Sequence, residues 1–274
     1  MRKHLSTIFL VIVLLIGFSL LLYPTVSDWW NTRHQSRAIV QYSDLVGSLD
    51  TVDYTELWTA AMQYNEGLRS TINRFFMTDE QRAEYESLLN VGGYGVMGVV
   101  EIPKIDVRLP LYHGTSESVL QVALGHIEGT SLPVGGKGTH CVISGHRGLP
   151  SAKLLTNLDQ MEIGDVFMLE VLDETLTYEV DQILTVLPDE IEALAIDPEQ
   201  DYCTLVTCTP YGINTHRLLV RGHRIANIQE RTPTIIPADA VAAEPWQVGV
   251  AVAAPLMLIW FAWAMRPRRH SRKK

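Results

Sequence analysis

The sequence predicts a mainly β fold, a barrel or sandwich with small helices in its connections. It follows a helical N-terminal segment, and an apolar run closes each end of the chain. Three observations carry this. From Gly95 onward the chain breaks into short β-rich runs punctuated by Gly and Pro: GVMGVVEIP, VRLPLY, THCVISG, DVFMLEVL, TLTYEVDQIL, YCTLVTC and RLLVRGHR. Strands this short, with turns this frequent, suit a sheet closed or folded on itself. Before Gly92-Gly93 the apolar period is helical instead. Leu5–Tyr23 and Trp246–Met265 carry no charge at all.

Each uncharged run is about the length that crosses a bilayer core as a helix. The run at Leu5–Tyr23 is too long for a typical signal-peptide core, and no small-residue cleavage site follows it. Arg2 and Lys3 precede it. Arg266, Arg268, Arg269, Arg272, Lys273 and Lys274 follow the second run, and neither tail holds an acid. The positive-inside rule predicts both termini in the cytoplasm and residues 24–245 outside, a two-pass protein of the cell membrane. The chain has 22 Lys+Arg against 31 Asp+Glu. With eight of the bases in the tails, the exported body is strongly acidic, which argues against a nucleic-acid partner.

Taken in order, residues 1–23 form a tail and membrane helix, and residues 24–92 a helical segment. Asn31–Leu49 reads as an amphipathic helix with Tyr42, Leu45, Val46 and Leu49 on one stripe. Asp50 is the predicted N-cap of a second helix, with Tyr54, Leu57, Trp58, Ala61 and Met62 on its stripe. Thr78 with Gln81 forms a capping box for a third, ending near Asn90. Residues 93–228 are the β domain, with short helices expected at Ser116–Leu124 and Ser151–Leu158. Residues 229–245 read as an extended tether, 246–265 as the second membrane helix and 266–274 as the basic tail.

The chemistry centres on TLVTCTPYGINTHRLLVRG, Thr204 to Gly222. Cys208 stands where a strand is about to end, and strand ends are where a rigid scaffold presents chemistry to solvent. A hairpin turning near Gly212-Ile213 sets Cys208 opposite Arg217, and Thr204 opposite Arg221 deeper in the ladder. Directly opposed residues share a face, so Arg217 would stand beside the sulfur. There it could lower the thiol's pKa or hold an oxyanion. A thiol nucleophile needs a base. Of nine histidines, His146 also sits where a strand stops, in CVISGHRGLP. His216 is the local rival, although its ladder position suggests the opposite face, and His126 reads as a loop hydrogen-bonder. The exported body has no metal-binding Cys or His spacing, no P-loop and no dinucleotide fingerprint.

These residues resemble the sortases. TLVTC matches their TLxTC signature with an arginine nine residues on, and SGHRG is similar to the segment that carries their histidine. The likeness runs through EIPKIDVRLPLYHGTS, GHIEGTSLPVGGKGTH and CTPYGINTHRLLVRGHR, essentially Gly95 to Ile228. TPYGxNTHRLLVRG and the second membrane run resemble class C, the pilin-polymerising sortases. The resemblance implies an eight-stranded sortase β-barrel with Cys208 as nucleophile, His146 as general acid/base and Arg217 positioning substrate and oxyanion. It implies cleavage of an LPxTG-like sorting signal at Thr–Gly through a thioester, transfer to a pilin lysine amine, and no cofactor or metal. Thr207 would line the substrate site. The alternatives are a sortase that anchors single surface proteins to cell-wall precursor, or an inactive membrane-tethered scaffold.

One departure concerns the lid. Class C sortases usually carry an Asp-Pro-aromatic motif that plugs the site. NRFFMTDEQRAEYESLLN contains none, leaving Phe75, Phe76 and Asp79 as the candidate lid residues. Cys141 and Cys203 each lie five residues before His146 and Cys208. In the sortase barrel they would be level, facing away from the catalytic side, as a candidate disulfide.

Overall fold

A computed structural model describes residues 2–227, with side chains from residue 9. The tether, the second apolar run and the basic tail lie outside the described residues. Four helices and eight strands follow in order: α1 (Arg2–Gly47), α2 (Thr51–Leu68), α3 (Asp79–Ser87), β1 (Val96–Ile102), β2 (Val107–His113), α4 (Glu117–Leu120), β3 (Leu124–His126), β4 (Thr139–Ser144), β5 (Val166–Val171), β6 (Glu174–Val186), β7 (Asp201–Thr209) and β8 (His216–Ile225). The strands close into a barrel in the order β1-β2-β3-β4-β7-β8-β6-β5. Two neighbouring pairs are parallel, β2 with β3 and β4 with β7; the rest are antiparallel.

The N-terminal apolar run and the amphipathic helix after it are not separate elements. They fuse into the 46-residue α1, which passes through Pro24. Nothing between Pro24 and Asn31 breaks a helix, and the proline removes only one backbone donor. Within α1, a window of the described residues is long and apolar enough to cross a membrane. From Asp28 onward α1 instead contacts the β domain, and the buried Tyr42 hydroxyl donates to Met97 O at 2.9 Å and accepts from Leu172 N at 2.7 Å.

The caps of the next two helices follow the sequence. Asp50 accepts from the amides of Val52 and Asp53. Thr78 and Gln81 bond reciprocally, satisfying two of the donors that a helix start leaves open. Apart from the exposed Met62, the two apolar stripes are buried or pack against the core.

Two of the small helices differ from expectation. Ser116–Leu124 shrinks to the single turn of α4. Ser151–Leu158 is not a helix, because outside partners take its backbone groups. Lys153 N donates to Asp28, Ser151 O accepts from Asn31, and Leu155 N donates to His146 O. Tertiary bonds here override a modest helix propensity.

The core has two faces. Cys141, Ile143, Cys203, Leu205, Val220, Phe167 and Tyr178 fill the barrel interior. Val142, Val206, Leu219 and Leu194 form a smaller cluster on the outer face of β4, β7 and β8, where the Glu192–Leu194 turn covers them. Alternation along a strand decides which face each residue joins.

Candidate active site

The β7–β8 ladder has the register that its turn symmetry predicts: Cys208 opposite Arg217, and Thr204 opposite Arg221. On β7, Cys203 and Leu205 point into the barrel and Val206 points out, so Cys208 projects outward. On β8, Val220 is interior and Leu219 exterior, and the same alternation turns Arg217 outward beside the sulfur.

His146 arrives from the other side. The parallel β4–β7 pairing runs from Thr139 opposite Asp201 to Ser144 opposite Val206. Two bonds extend it one residue further: Gly145 N donates to Val206 O at 3.0 Å, and the Thr207 hydroxyl donates to Gly145 O at 2.8 Å. The register brings His146 level with Cys208, and alternation from Val142 turns it to the outer face. Histidine, cysteine and arginine thus stand on three adjacent strand ends, with the cysteine in the middle. All three are partly exposed.

Any side chain at Gly145 would have to displace two buried leucines. A Cβ there would come 2.5 Å from Leu124 Cδ2 and 2.9 Å from Leu155. With Leu155 N bonding His146 O at 3.1 Å, the residue before the imidazole and its own carbonyl are both fixed. The Arg217 guanidinium bonds the carbonyls of His216 (3.1 Å) and Asn214 (3.3 Å), and no carboxylate pairs with it among the described residues. Its charge stays available to an anion. Arg147 and Arg221, by contrast, are held by Asp159 and Asp181.

Thr207 does not line this face. It is buried, points inward and serves the histidine loop through Gly145. His216 sits opposite Thr209, one step off the Cys208–Arg217 pair, and its Nδ1 meets its neighbour Thr215. His126 is a buried hydrogen-bonder. Its Nε2 donates to Ser131 O at 2.8 Å, which leaves Nδ1 to accept from the Tyr85 hydroxyl at 2.9 Å. Cys141 and Cys203 are direct partners across β4 and β7 and face the interior, but both are free thiols. Side chains stacked across adjacent strands rarely meet the narrow geometry a disulfide requires.

Phe75, Phe76 and Asp79 lie in or just after the connection of residues 69–78 between α2 and α3. Arg74 anchors that connection, donating to Leu194 O at 2.7 Å and lying 4.8 Å over the Phe75 ring. Phe76 is 85% exposed and plugs nothing. Asp79 opens α3 on the surface. Leu194, which Arg74 holds, packs with Val142, Val206 and Leu219 on the outer face of β4, β7 and β8. The sequence pattern does not predict the Gly145–Thr207 tie or the Arg74 anchor. The paired small residues just before Cys208 and His146 were the available signal for the tie.

The Sortase domain model matches residues 100–225. Among solved structures, sortase C1 of Streptococcus agalactiae is 52% identical, with a TM-score of 0.69, covering 70% of this chain and all of that one. Sortase C of Streptococcus pneumoniae is 45% identical over 70% of this chain and 97% of its own (TM-score 0.62). Sortase C of Clostridium perfringens, solved with the C-terminal cell wall sorting motif, is 42% identical over 70% and 99% (TM-score 0.62). Curated relatives are more distant. Sortase D of Bacillus subtilis is 28% identical over 131 residues, 47% of this chain and 63% of that protein; for sortase A of Streptococcus agalactiae the match spans 52% of the relative. With its eight-stranded barrel and these relatives, the chain belongs to the sortase family, and to class C within it.

Proposed function

We propose that the chain is a cysteine transpeptidase that joins pilin subunits at the outer surface of the cell membrane. The observation that carries this reading is the order His146–Cys208–Arg217 on three neighbouring strand ends, all on one face. The Cys208 sulfur attacks the threonine carbonyl of an LPxTG-like sorting signal. Arg217 faces the oxyanion of the tetrahedral intermediate, where an unpaired guanidinium is worth most. As the intermediate collapses, His146 gives a proton to the departing glycine amine and a thioester remains. A pilin lysine amine then attacks the thioester and passes its proton to His146, and the isopeptide bond forms as the thiolate leaves. No metal or organic cofactor takes part.

Pilin polymerisation is favoured over anchoring of single proteins by the class C relatives, one of which was described with its pilin substrate specificity. Residues 5–23 anchor the chain in the membrane, and residues 246–265 cross it again, with both basic tails in the cytoplasm and the barrel outside.

Incubation of residues 24–245 with an LPxTG peptide, followed by intact mass, tests the reading. Wild type gains an acyl adduct with loss of the peptide's C-terminal part, and Cys208→Ala does not. Absence of the adduct from wild type, with and without residues 24–92, would sink it. Removing residues 24–92 separately tests whether that segment occludes the site.

A further inference from the structure

The helix that leaves the apolar run also reports which way the barrel faces. After Lys3, the first charged residue is Asp28, so the hydrocarbon boundary falls between Tyr23 and Asp28. Five residues of helix rise about 7.5 Å, close to the thickness of one headgroup layer. Asp28 accepts from Lys153 N at 3.0 Å, and Asn31 donates to Ser151 O at 2.9 Å. Gln35 donates to Val122 O, just before β3 begins, and Tyr42 bonds Met97 and Leu172 at the opposite end of the barrel.

Along α1 the contacts therefore move from one mouth of the barrel to the other. The mouth met first, nearest the boundary, is where β3 starts, β4 and β7 end and β8 starts. It is the mouth that carries His146, Cys208 and Arg217. The β7–β8 tip projects there as well. Tyr211 is 60% exposed and Ile213 68%. The Tyr211 ring lies against Gly148, where a Cβ would come within 2.9 Å of it, in the same loop that Asp28 and Asn31 hold. On α1, Trp29 and Trp30 are exposed at the same level, and Lys153 is exposed on the loop between. Exposed tryptophan and tyrosine with a nearby lysine is the composition of a membrane–water interface.

We propose that this mouth of the barrel faces the membrane, with Tyr211 and Ile213 of the β7–β8 tip seated beside Trp29 and Trp30 in the outer lipid headgroup layer. The proposal rests on the reading of residues 5–23 as a membrane span. Cys208 then opens toward the lipid surface, and its substrates approach along that surface rather than from bulk solution.

The full-length protein in phosphatidylcholine–phosphatidylglycerol vesicles provides the test. In a Cys208→Ala background, single cysteines replace Ile213, Lys137 (just before β4, at the far mouth) or Gly17 (within the span), each labelled with an environment-sensitive fluorophore. Lipids with a nitroxide on the headgroup should quench the label at 213 several-fold more than the label at 137. Nitroxides on the acyl chain should quench the label at 17. Equal headgroup quenching at 213 and 137, with 17 still quenched, would overturn the orientation and leave the anchor standing. An unquenched label at 17 would remove the anchor, and the proposal with it.

Discussion

Thr207 donates its hydroxyl to the carbonyl of Gly145 at 2.8 Å, tying the residue before Cys208 to the residue before His146. The bond is buried, so Thr207→Val should leave a buried carbonyl without its donor, at a cost of about 1–3 kcal/mol. Urea unfolding measures that loss. The acylation rate should fall with it and return in Thr207→Ser. An unaltered rate in the valine variant would mean the tie has no bearing on the histidine.

Arg217→Lys keeps the charge but loses the planar fork. Because Arg217 bonds only nearby carbonyls, stability should hardly change. Formation of the thioester should slow by about a hundredfold, the scale of losing one oxyanion donor. Single-turnover kinetics with an LPxTG peptide would decide. Wild-type rates in this variant would leave Arg217 as a structural edge residue.

His140 gives a pH prediction. Its Nδ1 donates to Ala195 O and its Nε2 accepts from the Thr204 hydroxyl, so the buried ring is held neutral. Burial pushes its pKa from 6.5 down to about 4. Between those values the unfolded chain binds a proton that the folded chain refuses. Stability is therefore full above about pH 6.5 and falls as the pH drops toward 4, by on the order of 3 kcal/mol. Burial of His113 acts in the same direction. His140→Gln should flatten the difference in denaturant midpoint between pH 7 and pH 4.5 relative to wild type. An unchanged slope would count against a buried neutral ring.

The three cysteines should react unequally. Cys141 and Cys203 are buried in the barrel, and burial pushes the Cys203 thiol well above its ordinary range; Cys208 is partly exposed. A thiol reagent should modify one site in the folded protein and three in denaturant. One site in denaturant would mean that Cys141 and Cys203 are bridged after all.

Tyr42→Phe removes a hydroxyl that satisfies two buried backbone groups, Met97 O and Leu172 N. It should cost about 1–3 kcal/mol and loosen α1 from the far mouth of the barrel, seen as faster proteolysis within residues 31–49. If both are unchanged, α1 is held by packing alone.

The catalytic hairpin was legible because a short turn between two β-branched runs sets its register, and register sets the facing of every side chain. His146 was legible by its position at the end of an apolar run. Three features were not. The fusion of the two N-terminal helices could not be read, because a proline in an exposed helix is a cost rather than a prohibition. Ser151–Leu158 carried a helical pattern, but Asp28 and Asn31, both remote in sequence, and the nearby His146 take its backbone bonds. Thr207 adjoins Cys208 in sequence, yet the two-residue period of a strand turns adjacent residues to opposite faces.

The unbroken course of α1 from the apolar run to Tyr42 makes it a ruler and a compass at once. Each residue inserted between Tyr23 and Asp28 would lift the barrel by about 1.5 Å and turn it by about 100° around the helix axis. One insertion would leave the height of Cys208 almost unchanged while swinging it to a different azimuth. Only near a full turn would the heading return, with the site raised by about 5.4 Å. Activity on membrane-held partners should therefore oscillate with spacer length, whereas a flexible leash would give a smooth decline.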